Sequence, residues 1–142
     1  MRRCLLEGRV AVSFWVLAGS ALGGLARYWL GVLVTAWAGA AFPWGTLLIN
    51  ILGSFVIGLF AAATAQRGVW IGALPPDGPL SIANARAFVM VGLCGGFTTF
   101  SSFSLQTLEL LQAGRSAAAA AYAAGSVLAC IAAVAAGWTL GR

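Results

Sequence analysis

YWLGVLVTAWAGAAFPWGTLLINILGSFVIGLFAAATAQ, residues 28–66, runs for 39 residues without a charge. A helix crosses roughly 30 Å of hydrocarbon with about 20 apolar residues, so this stretch can cross twice. Pro43, after the small-residue tract Ala38-Gly39-Ala40-Ala41, marks the turn, and Trp44 suits a membrane-surface anchor. Similar spacing continues on both sides. Arg9 and Arg27 enclose 17 uncharged residues, Arg86 and Glu109 enclose 22, and Arg115 and Arg142 enclose 26. The 142 residues are 61% apolar and 8% charged, with mean hydropathy +0.96, against roughly 25% charged in soluble domains. Eight basic and three acidic residues are too few to cover a soluble surface, and the high hydrophobicity excludes disorder. The reading is an all-α membrane protein, one domain of four transmembrane helices. The spans fall at about 10–37, 43–66, 86–112 and 116–140, with a surface loop at 67–85 centred on Pro75-Pro76-Asp77-Gly78-Pro79. The first segment is not expected to be a cleaved signal, because three more spans follow it.

Several function classes drop out. The chain has no histidine, and Cys4, Cys94 and Cys130 lie in three separate segments without a CxxC pair, so ordinary zinc and redox motifs lack their ligands. It carries no Walker loop, no dinucleotide fingerprint, no paired carboxylates within a span and no nucleophile–base pair, and an enzyme is not expected. A net charge of +5 and a pI near 10.1 ordinarily suggest nucleic acid. Here the basic residues sit at span ends, as topology signals beside lipid head groups, and no nucleic-acid partner is expected.

Polar groups facing lipid cost several kcal/mol unless paired, so those inside the spans need a reason. Thr46, Asn50 and Ser54 follow at i, i+4, i+8 on one helical face, as do Tyr122, Ser126 and Cys130. A lone hydroxyl or thiol can bond back to its own helix. The Asn50 amide, with two donors and an acceptor, cannot be satisfied that way and should face a neighbouring helix or a wet cavity. In the third span, Gly95-Gly96 followed by Thr98-Thr99 makes a poor helix interior. We read it as a helix break, whose freed carbonyls suit a cation. Gly19-x-x-x-Gly23 and Gly92-x-x-x-Gly96 let helix backbones approach closely.

This inventory favours an anion. No acidic residue lies in the core of a span, so a proton- or cation-coupled carrier lacks its usual carboxylate. What the spans offer are donors: the Asn50 amide, the Thr and Ser hydroxyls, the Tyr122 phenol and Arg27. Phe100 and Phe103, at i and i+3, add the positive edges of their rings.

The run Gly95-Gly96-Phe97-Thr98-Thr99-Phe100-Ser101-Ser102-Phe103-Ser104 resembles the third-span signature of the Fluc (CrcB-type) fluoride channels. Gly23-Gly24-Leu25-Ala26-Arg27-Tyr28 in the first span is similar to that family's pattern too. So is Gly45-Thr46-Leu47-Leu48-Ile49-Asn50-Ile51-Leu52-Gly53-Ser54-Phe55 in the second, and the resemblance covers residues 15–140 or so. It implies an antiparallel, dual-topology dimer in the cell inner membrane that passes fluoride through two narrow pores. It also implies a structural sodium ion at the dimer centre, held by the backbone carbonyls of Gly95 and Thr98. The pore phenylalanines map to Phe100 and Phe103. The polar track maps to Asn50, Ser101 and Ser102 with Tyr122 and Ser126, beside Thr46 from the second-span motif, and Arg27 matches the vestibule arginine. Cys130 stands where the family often has a serine, and the 67–85 loop is long for it.

Two other classes compete. A small four-span multidrug transporter needs a membrane-embedded glutamate, which the first span lacks. A non-transporting membrane assembly protein would not need Asn50, the glycine–threonine motif and the phenylalanine pair together. For fluoride, an interior-negative potential drives anions outward, so passive efflux needs no ATP site or coupling carboxylate. Orientation pulls the other way. Arg2, Arg3, Arg9, Arg67, Arg86 and Arg142 share one side, against Arg27 and Arg115 on the other. That bias would fix both termini in the cytoplasm, whereas a dual-topology homodimer should carry little. An antiparallel homodimer is the favoured reading, and pairing with an oppositely oriented paralogue is the alternative.

Overall fold

The computed structural model describes residues 2–65, 78 and 81–142, and every regular element among them is a helix. The first, α1, spans Arg2–Ala38 and α2 spans Trp44–Ala65. The third span opens with a short α3, Ile82–Arg86, and widens into a π-helical segment, Ala87–Cys94. It narrows again to α4, Gly95–Phe97, and resumes as α5, Phe100–Gln112. The last helix, α6, spans Ser116–Leu140. Four stretches are long and apolar enough to cross a membrane: Val12–Ala38, Trp44–Ala65, Ile82–Gln112 and Ser116–Leu140. The protein is a multi-pass membrane protein.

Helix α1 runs on from Arg2 ahead of the first span, whose apolar stretch Val12–Ala38 lies within two residues of the expected 10–37. Helix begins at Ile82, inside the expected 67–85 loop, because Ser81 caps it by accepting the Asn84 N–H at 3.3 Å. Most of that loop lies outside the described residues. The turn between α5 and α6 closes over Gly114, whose φ of +71° places it in the left-handed region that side chains resist. Arg115 follows, giving its N–H to the Leu110 carbonyl at 2.9 Å.

Glycine sets how the helices meet. A Cβ built on Gly19 would overlap the Phe88 carbonyl, and one on Gly23 the Leu93 carbonyl. In return, a Cβ on Gly92 would lie 2.8 Å from the Val16 carbonyl, and one on Gly96 would lie 2.6 Å from that of Ser20. The two small-x-x-x-small motifs are therefore each other's partners, seating α1 against the third span. A second close seam joins α2 to α6, where Gly58 meets Val134 and Gly137 meets Phe55 and Leu59. The core between these pairs is thin. Ile49, Ala62, Cys94, Ala119 and Tyr122 are buried, while Phe14, Leu17, Leu22, Leu33 and Leu128 are exposed, as suits helices solvated by lipid. Trp37 and Trp44 stand exposed at the turn between α1 and α2, the position of an interfacial aromatic belt.

Candidate site between two cavities

The glycine–threonine motif of the third span is expected to break the helix, but Gly95–Phe97 stays helical and the span is not divided into two separate helices. Thr98 and Thr99 are extended, with φ/ψ of −78°/159° and −152°/114°, and the helical pieces are joined with an 18° bend. Two extended residues inside a span need partners for their backbone groups. Asn50, on α2, supplies them for Thr99. The Thr99 N–H donates to Asn50 Oδ1 at 2.8 Å, and Asn50 Nδ2 donates to the Thr99 carbonyl at 3.2 Å. A side-chain amide thus replaces a peptide group. Thr99 in turn caps α5, its Oγ1 accepting the Ser102 N–H at 3.2 Å while lying 3.1 Å and 3.2 Å from the Ser102 and Ser101 hydroxyls. Thr98 bonds backward, its N–H and hydroxyl both donating to the Cys94 carbonyl.

Two cavities flank this pair. The first, about 470 Å³, is lined by Asn50, Ser54, Gly95, Thr98, Phe100 and Ser126, among others. The second, about 650 Å³, is lined by Arg27, Tyr28, Thr46, Ser102 and Gln106. Thr99 lines both. By chain position the second cavity lies toward the α1–α2 turn and the first toward the opposite end of the bundle. Neither lining includes a carboxylate.

The residues singled out from sequence fall into three groups. Asn50, Ser126, Phe100 and Phe103, with Gly95 and Thr98, line the first cavity, and Arg27, Thr46 and Ser102 line the second. The Phe100 and Phe103 rings lie 5.3 Å apart and tilted by 42°, with Phe100 77% exposed on the outer face of the chain. Ser101 is exposed beside it. Tyr122 is 1% exposed, between Phe42 and Phe103, and its hydroxyl donates to Gln106 Oε1 at 3.0 Å. Thr46 approaches the same hydroxyl.

Donors remain for a guest beside the first cavity. Asn50 spends one amide N–H on Thr99 and keeps the second. The Ser126 hydroxyl is buried without a hydrogen-bond partner. Sequence reading passed over Thr99 and Gln106. The signal for both was present: Thr99, Ser102 and Gln106 repeat at i, i+3, i+7, a polar stripe along α5.

Over residues 14–138 the chain matches the family described as CrcB-like protein, Camphor Resistance (CrcB). It is 49% identical over 87 residues to the fluoride-specific ion channel FluC of Methylocella silvestris. It is 51% identical over 88 residues to the protein of that name from Rhodospirillum rubrum, and each alignment covers 61% of this chain and 60% of the relative. The fluoride-specific ion channel FluC 1 of Rhodopseudomonas palustris is 45% identical over 97 residues, covering 68% of this chain and 62% of that protein. The chain thus spans about three-fifths of the length of the curated relatives it matches.

Proposed function

The chain belongs to the CrcB-like family, and from that premise we propose that it is a fluoride-selective channel of the cell inner membrane, giving passive efflux of fluoride. One observation carries the reading: the paired Asn50 and Thr99 stand between two cavities that offer donors and no carboxylate. Moving a bare small anion into hydrocarbon costs tens of kcal/mol. The route must replace its water without holding it fast. Arg27 raises the anion concentration at the second cavity. The free Asn50 N–H, the Ser102 and Ser126 hydroxyls and the ring edges of Phe100 and Phe103 then take over hydration in succession. Tyr122 acts from behind, its hydroxyl fixing Gln106 at the wall of the second cavity.

The exposed Phe100 and Ser101 point to a second copy of the chain, which an antiparallel homodimer supplies. The same face supports a structural sodium ion. Because Thr99 turns its N–H to Asn50, the Gly95 carbonyl is without its helical donor, and carbonyl oxygens suit a hard cation. Gly95 and Thr98 of each copy would hold it. When bound, the ion supplies positive charge that keeps the two third spans together.

The test is efflux from liposomes loaded with fluoride, with valinomycin to clamp the potential and a fluoride electrode outside. Fast fluoride release without chloride release is expected. Release no faster than from protein-free vesicles would defeat the proposal.

A further inference from the structure

Thr99 lines both cavities, yet it is only 8% exposed. Asn50 takes up its backbone groups, which leaves the hydroxyl free for other work. A threonine hydroxyl has one proton to give and two lone pairs to fill. One lone pair accepts the Ser102 N–H at 3.2 Å, the bond that caps α5. The proton has two acceptors within reach, Ser102 Oγ at 3.1 Å and Ser101 Oγ at 3.2 Å. Thr99 is the donor in the first contact, and either oxygen can donate in the second. Successive residues on a helix point about 100° apart, and these two serines serve different surroundings. Ser102 lines the second cavity, whereas Ser101 is exposed beside Phe100, which lines the first.

We propose that the Thr99 hydroxyl is a two-position switch, which passes donor strength between Ser102 at the second cavity and Ser101 on the Phe100 face as an anion crosses. The inference rests on the fluoride-channel reading and adds to it a positioning residue that acts through its neighbours. When Thr99 donates to Ser102, the Ser102 O–H is left for a guest in the second cavity. That O–H is also strengthened, because hydrogen bonds in a chain polarise one another by roughly 10–30% per bond. Turning the proton to Ser101 withdraws this support from the second cavity and gives it to the Phe100 face. Rotation about one C–O bond is enough, so no covalent bond breaks and no heavy atom has to move. The Ser102 N–H holds the oxygen in place at either setting, and burial keeps water from taking the proton instead.

The test uses the full chain in fluoride-loaded liposomes at limiting protein, where the fraction of vesicles emptied counts active channels and the speed of emptying reads each one. Thr99→Val keeps the shape and loses the hydroxyl, and should empty vesicles roughly two- to tenfold more slowly, the worth of one neutral hydrogen bond. Thr99→Ser should run at or near the unaltered rate. Thr99→Gly, nearly as good a helix cap but without a hydroxyl, should show the same slowing where Thr99→Val lowers the active fraction. In a chain already carrying Ser101→Ala and Ser102→Ala, Thr99→Val should slow release no further, because both acceptors are gone. The cap bond to the residue 102 N–H is still there to lose in that chain, so a purely structural role would show. An unchanged speed in Thr99→Val and Thr99→Gly, or an undiminished effect in the double-alanine chain, would overturn the switch and leave Thr99 a helix cap. No release from the unaltered chain would overturn the channel reading, and the switch with it.

Discussion

At Asn50 one side chain does two jobs. It holds the backbone of Thr99 at both ends, lines the first cavity and has one amide N–H to spare. Asn50→Leu should therefore cost stability as well as transport. Each unsatisfied backbone group left at Thr99 costs about 1–3 kcal/mol, so lower unfolding temperature in detergent should accompany fluoride release reduced by about tenfold or more. Normal release from this variant would remove Asn50 from the route. Ser126 gives the opposite pairing. Its hydroxyl has no partner to lose, so Ser126→Ala should leave the unfolding temperature unchanged or raise it while release falls several-fold. A fall in both would make Ser126 a packing residue. The Asn50 amide was legible as a group that must face a neighbour, from its donor count alone. Its partner was not, because Thr99 is 49 residues away and nothing local to either residue names the other.

Among the helices, contact depends on what glycine leaves out. The spacing of Gly19, Gly23, Gly92 and Gly96 announced close approach, and the structure sets the two motifs against each other. Gly19→Ala should open the seam between α1 and the third span at a cost of about 1–3 kcal/mol, the range for overpacked contacts. Gly24, on the same helix, has nothing within 4 Å of a built Cβ, so Gly24→Ala should be neutral or raise stability by roughly 0.5–1 kcal/mol. Equal effects on unfolding would show that the seam does not set stability. Less of the third span was legible. Its glycines and threonines warned of a weak helix, but Ser81, Asn84 and the wide π turns set where it starts and how it runs. Those depend on hydrogen bonds rather than on composition.

Over the whole molecule, the arginines have duties besides topology. Arg86 donates to the Thr64 hydroxyl at 3.0 Å, and Arg115 to the Ala41 carbonyl, so each ties neighbouring span ends together. Discounting both as orientation signals turns six against two into five against one, so the bias that opposes the proposed dual-topology homodimer stands and has to be tested. A single cysteine placed at the C-terminus, in a chain lacking Cys4, Cys94 and Cys130, should label from both faces of intact cells. Labelling from the cytoplasm alone would send the search to an oppositely oriented paralogue. Sodium should stay put: liposomes releasing fluoride should take up no radioactive sodium in proportion, and a fixed sodium-to-fluoride ratio would make the ion cargo. The two cavities carry an electrical consequence as well. Water is a conductor beside hydrocarbon, so with both cavities wet the transmembrane voltage falls mainly across the thin septum at Asn50 and Thr99, instead of evenly over the span. An anion crossing that septum experiences most of the roughly 2.3 kcal/mol that 100 mV supplies per charge. In the proposed channel, steepness with voltage would therefore belong to one pair of residues, while the walls on either side would set only how readily the ion arrives.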